Sequence, residues 1–250
     1  MNYPRYSYPP GLFTRALWDF ILLRRRDLQS DAKACIENLY PGLRVLGQEN
    51  IPQRGACVLT INHYHRPGFG AQWLAIATSA VVPLRIMWVV TGELMCQGKW
   101  YEAIGSRASR IFLKRLAYFY GLITMPPMPP RPKDMEARAA SVRKALEYVK
   151  HVDDPVLGIS PEGYNPPNSV LTRPAPGFGR FGLLLSNAGM RFIPVGGYEA
   201  DGIFYLHFGE PYELNVQGEL TAGEKDEHGM QIVMKNIARL LPIHLRGEFA

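Results

Sequence analysis

A chain of 250 residues, 47% hydrophobic and 20% charged, has the length of a single domain or of a small domain in two parts, with enough apolar content for a full core. Its net charge of +6 suits an anionic membrane surface or an anionic substrate. No zinc-finger or RNP motif is present, so no nucleic-acid partner is expected.

Met1 to Pro10 is polar and aromatic and does not read as a signal peptide. No run reaches the roughly 18 apolar residues of a spanning helix. Residues 12–38 read as helical, with Leu12, Phe13, Leu17, Trp18, Phe20 and Ile21 ahead of Arg24-Arg25-Arg26. Such a segment can lie in a membrane interface, or it can pack on the core with its arginines solvated. Cys35, Cys57 and Cys96 are widely spaced, with no Cys-x-x-Cys. That argues for a reducing compartment and against a disulfide scaffold or a zinc cluster.

Strands are expected near 43–47, 56–61 and 84–90, with a helix over 69–80 and a basic helix from Arg107 to Tyr118. Met125 to Pro132 holds five prolines in eight residues, which excludes a helix or a central strand. It is a stiff connector that either lines a substrate channel or runs over the surface. Met135, Ala139, Val142, Leu146 and Val149 recur at four, three, four and three residues, one helical face over 134–150. Asp134 is its expected N-cap. Strands near 156–160, 191–196 and 203–208 follow, with a helix over 177–188. Val233, Ile237, Leu240 and Leu241 mark a last helix ended by Pro242. Helices alternating with apolar strands predict an α/β fold.

Two polar elbows stand out. The apolar run Ala56 to Ile61 ends in Asn62-His63-Tyr64-His65-Arg66-Pro67-Gly68, and Val156 to Ser160 ends in Pro161-Glu162-Gly163. Polar residues at the ends of buried strands are where open α/β sheets place their chemistry. The two elbows therefore predict one site.

These residues carry a resemblance to the PlsC-like glycerolipid (lysophospholipid) acyltransferase family. Val45 to Pro52, Arg54-Gly55-Ala56 and Ile61-Asn62-His63 are similar to the approach to the family's first motif. Gly158 to Gly163 resembles its Phe-Pro-Glu-Gly motif, and Phe192-Ile193-Pro194-Val195-Gly196 resembles its fourth. Phe208 to Pro211, Leu241-Pro242 and Arg246-Gly247 also fit, so the resemblance spans roughly residues 43–247. It implies a mixed, mostly parallel central sheet flanked by helices, glycerol-3-phosphate acyltransferase-like. Residues 1–40 would then be an N-terminal amphipathic helical segment and 41–250 the α/β domain. It implies an O-acyltransferase moving a fatty acyl group from acyl-CoA or acyl carrier protein to a hydroxyl of a (lyso)phospholipid or related lipid. Neither a metal nor a bound cofactor is implied. The expected place is cytoplasmic, peripheral to the inner face of an anionic membrane.

The chain departs from the family pattern. The first motif is His, four residues, then Asp, but Gly68 stands at the Asp position counted from His63, and Gly70 does so for His65. Tyr164-Asn165 follows Glu162-Gly163 where the family has Thr-Arg. Gly121 to Pro127 lacks the second-motif Arg.

Acyl transfer needs a base near neutral pH, a group that orients it, and donors for the oxyanion. By resemblance His63 is the base. Glu162, His65 or a backbone carbonyl could orient it, and His65 could replace it. Asn62, Arg66, Pro161, Gly163, Tyr164, Asn165 and Arg180 are the expected substrate contacts. With the family arginines missing, either the acceptor is not a simple phosphomonoester or Arg66, Arg173 or Arg180 meets its phosphate. The competing reading is an acyltransferase-like lipid-binding protein without catalysis. A metal hydrolase built on His63-x-His65 and Glu162 is a third, which needs more ligands.

Overall fold

The computed structural model describes residues 3–95, 98, 100 and 102–250. Cys96 lies outside them. Among the described residues a seven-stranded sheet runs in the order β1-β7-β6-β2-β5-β3-β4. The strands are β1 (Leu43–Leu46), β2 (Cys57–Ile61), β3 (Met87–Thr91), β4 (Ile123–Met125), β5 (Val156–Ile159), β6 (Arg191–Ala200) and β7 (Ile203–Phe208). All neighbours pair parallel except β6 and β7, which form an antiparallel hairpin. The helices are α1 (Pro10–Ile21), α2 (Leu28–Glu37), α3 (Gln72–Val81), α4 (Glu102–Tyr120), α5 (Met135–His151), α6 (Phe178–Asn187) and α7 (Ala222–Ala238). The architecture is the mixed, mostly parallel sheet flanked by helices.

β2 and β5 are buried at every position, as continuous apolar runs in a sheet covered on both faces must be. Two glycines show the covering. A Cβ on Gly196 would strike Leu240 just after α7, whereas one on Gly197 would strike Leu74 of α3. Successive strand residues point to opposite faces, so α3 and the end of α7 lie on opposite sides of β6. α2 packs on α3, and α6 packs on α7.

The stretch 12–38 is two helices, not one. Leu23 takes φ +56, a left-handed conformation that stops α1. Asp27 then opens α2 by accepting from the Ser30 N–H at 2.9 Å. α1 buries Leu12, while α2 buries Ala32 and Cys35 against the core. Burial raises the Cys35 thiol to about 11 and the Cys57 thiol to about 12, which keeps both protonated at neutral pH. β4 was not expected. Asp134 stands at the N-terminus of α5 but makes no side-chain cap; its carboxylate pairs with Arg131 instead.

Gly158 in β5 faces the Trp88 indole of β3, and an added Cβ would strike that ring. The indole is 3% exposed and tied to Ser79 at 2.9 Å. Gly158→Ala therefore overpacks the sheet. It is expected to cost about 1–3 kcal/mol, read as a lowered urea midpoint with an unchanged slope.

Candidate active site

The parallel register Cys57↔Val156 to Thr60↔Ile159 carries both strands to the same edge of the sheet. The elbows after β2 and β5 are therefore neighbours. Beyond β2, which ends at Ile61, odd and even positions bond to different neighbours. Odd positions face the loop after β5. The Ser160 hydroxyl donates to the Ile61 carbonyl at 2.9 Å, and the His63 N–H donates to Glu162 Oε2 at 2.6 Å. The His65 N–H donates to Ser169 Oγ at 3.1 Å, and that hydroxyl donates back to the His65 carbonyl. Even positions face β6. Asn62 exchanges two bonds with the Gly197 backbone, at 2.9 and 2.7 Å, and Tyr64 and Arg66 both reach Glu199.

His63 is partly buried, and its Nδ1 lies 3.0 Å from Asn165 Oδ1. With the Asn165 amide oxygen turned to the ring, Nδ1 is the donor and Nε2 the proton acceptor. Burial holds the imidazole below its ordinary pKa of 6.5, against the Asn165 bond, with His65 adding to the depression. The ring is thus neutral at pH 7, as a general base must be.

Glu162 is fully buried. Burial pushes its pKa up to about 7, while the Thr172 and His63 backbone N–H groups oppose that rise. Oε1 takes the Thr172 N–H at 3.0 Å and Oε2 takes His63. The expectation that Glu162 orients the ring is therefore corrected. Both oxygens are turned to main-chain donors, so Glu162 fixes the elbow and not the imidazole.

A protein-family model described as Acyltransferase matches residues 42–196, a span that includes both elbows. The chain belongs to the acyltransferase family. Among solved structures it is similar to the 1-acyl-sn-glycerophosphate (LPA) acyltransferase PlsC from Thermotoga maritima, with 14% identity and a TM-score of 0.49 over 92% of this chain and 89% of that one. No curated protein matches it. Acyl transfer is the activity of the family.

Several expected substrate contacts are otherwise engaged in this acyltransferase. Asn62 is 2% exposed and spends both ends of its amide on Gly197. Arg66 gives Nε and Nη2 to Glu199 at 2.6 and 2.7 Å and Nη1 to the Pro67 carbonyl at 2.6 Å. Its guanidinium also lies 3.9 Å from the Tyr3 ring centre. These bonds take three of the five N–H groups of Arg66 and turn its fork to Glu199. Arg173 pairs with Glu227 and Glu248. Arg180 lines another cleft, with Phe181, Leu184 and Lys225, and its N–H caps on Asp226.

Pro161 is buried, and Gly163 takes φ +68 with Met128 Cγ 2.9 Å from any added Cβ. Both shape the elbow, and Met128 brings the proline-rich connector against it. Tyr164 and Asn165 are exposed at the rim. His65 lines a cleft of about 660 Å³ with Arg66, Ser169, Glu199 and His244. Its Nδ1 is buried and has no hydrogen-bond partner among the described residues.

Ser169, Thr172 and Glu199 were missed by sequence reasoning. Glu199 alone left a signal there, as a charge at the end of the apolar run that follows Phe192. Among the described residues no group of three His, Cys, Asp or Glu is placed to hold a metal ion.

Proposed function

We propose that this acyltransferase moves a fatty acyl group from acyl-CoA or acyl carrier protein to a hydroxyl of a lysophospholipid or related lipid, with His63 as general base. The observation that carries the reading is the His63 ring, held through Nδ1 by Asn165, just beyond a buried strand inside the family's matched span. Nε2 takes the acceptor hydroxyl proton as its oxygen attacks the thioester carbon. The C–S bond then breaks, and the thiolate leaves with that proton. Of the three arginines considered for an acceptor phosphate, Arg173 is the one held by two carboxylates, Glu227 and Glu248.

Thiol release from long-chain acyl-CoA and acyl carrier protein tests this against lysophospholipid, glycerol 3-phosphate and neutral hydroxyl acceptors. Acceptor-dependent release by the wild type, lost in His63→Ala, supports the reading. Lipid binding without release from any pair favours the non-catalytic alternative.

The same proposal places the enzyme on the inner face of an anionic membrane, with residues 1–40 carrying the membrane-facing helix and 41–250 the transfer site. α1 leaves Phe13, Trp18 and Ile21 more than half exposed, and α4 adds Ile111 and Phe112. The helices are joined by Arg115, which donates to the Phe20 and Ile21 carbonyls at 2.9 and 2.6 Å. Arg24, Arg107 and Lys114 are exposed around this apolar face. Among the described residues no helix is long and apolar enough to cross a membrane. Trp18→Ser with Phe112→Ser is expected to weaken binding to phosphatidylglycerol vesicles by about tenfold or more, read by flotation. Added salt should weaken the wild type as well.

A further inference from the structure

We propose that Asn165 is the positioning residue of His63, orienting the base with a neutral amide where a carboxylate would ordinarily stand. This rests on His63 being the base. The contact itself is direct, 3.0 Å from Oδ1 to Nδ1, and it leaves Nε2 as the ring nitrogen not taken by Asn165. Papain-like proteases show that an Asn can hold a catalytic His in this way.

Asn165 lies on an exposed loop, yet the loop is anchored on both sides of it. Glu162, three residues before, holds the His63 N–H, and Ser169, four residues after, bonds both the N–H and the carbonyl of His65. Asn168 and Ser169 take φ +55 and +60. Left-handed conformations in residues other than glycine persist where surrounding contacts over-determine them. The loop is therefore built to keep residue 165 against the ring.

The charged groups near His63 are engaged elsewhere than on its ring. Glu162 faces the His63 backbone and Thr172. Arg66 turns to Glu199 on β6. His65 adds to the lowering of the His63 pKa. A neutral amide fixes the tautomer but does not stabilise the imidazolium that forms when the hydroxyl proton arrives. The enzyme then works with a weakly basic His63, active further into the acid range than a His–carboxylate pair would be.

The test uses the full chain, with Asn165→Asp, Asn165→Ala and His63→Ala. In Asn165→Asp the acid limb of kcat/KM should move upward by about 1–3 pH units, the effect of an opposite charge at this range. Asn165→Ala should lower kcat roughly 10²-fold with KM little changed. Ring ¹⁵N shifts of His63 give a readout independent of activity: a proton on Nδ1 in the wild type, mixed tautomers in Asn165→Ala, and a raised pKa in Asn165→Asp. An unmoved pKa in Asn165→Asp, or a wild-type ring protonated on Nε2, overturns the proposal. Full activity in His63→Ala would instead sink the underlying reading of His63 and leave the ring shifts to judge Asn165 separately.

Discussion

Replacing His63 by Ala is expected to lower kcat/KM for acyl transfer by about 10²–10⁴-fold, with the fold intact. Ala keeps the N–H that Glu162 accepts, and the lost side-chain bond is to an exposed Asn165. Urea midpoints of variant and wild type should therefore lie close together, which separates loss of chemistry from loss of structure. The pH dependence follows from the direction of the His63 shift. Its pKa is below the ordinary 6.5 in the folded chain because burial disfavours the imidazolium. Activity should thus rise with pH along a limb centred below 6.5 and be complete at neutrality. The stability effect has the same sign. Between the lowered value and 6.5 the unfolded chain binds more protons than the folded one. The contribution is fully present above 6.5 and is lost as pH falls. In His63→Ala that component of the pH–stability curve should vanish.

Much of this site was legible because strand ends leave a strong trace. The runs ending at Ile61 and Ser160 were apolar and bounded by polar elbows, and parallel pairing of β2 with β5 brings such elbows together. The helical period over 134–150 gave α5 for the same reason. β4 left too little trace, as three residues between Gly121 and a run of prolines. The turn at Leu23 was hidden because no glycine or proline marks it. Side-chain partners were less legible than backbone elements. Arg66 beside the candidate base looked available to substrate, but its guanidinium is held by Glu199, 133 residues away. Glu162 looked like the first candidate to orient the ring because the family resemblance sets its elbow beside that of His63. Both of its oxygens instead answer main-chain donors whose direction no spacing rule gives.

Glu162→Gln carries the second large effect, and it acts through position. The carboxyl group presents one oxygen to the His63 N–H and the other to the Thr172 N–H, at 2.6 and 3.0 Å. Gln has one carbonyl oxygen, so its amide N–H₂ must face one of those donors. A buried donor without an acceptor costs about 1–3 kcal/mol, and the elbow carrying His63 shifts to relieve it. A displacement near 1 Å is enough for a loss of roughly 10² in rate.

Burial raises the Glu162 pKa from 4.5 to about 7, so the folded chain binds the extra proton between those values. Its contribution to stability is present below 4.5 and lost as pH rises toward 7, on the order of 3 kcal/mol in all. Gln lacks this dependence. The stability deficit of Glu162→Gln should therefore be largest at the acid end and shrink toward neutral pH, measured by urea unfolding across that window. The activity deficit should persist at neutral pH, where His63 is unprotonated and its position alone limits transfer. A uniform stability deficit from pH 4.5 to 7 would mean that Glu162 titrates in the fold as it does in the unfolded chain, and normal turnover at pH 7 would mean that the elbow does not depend on it.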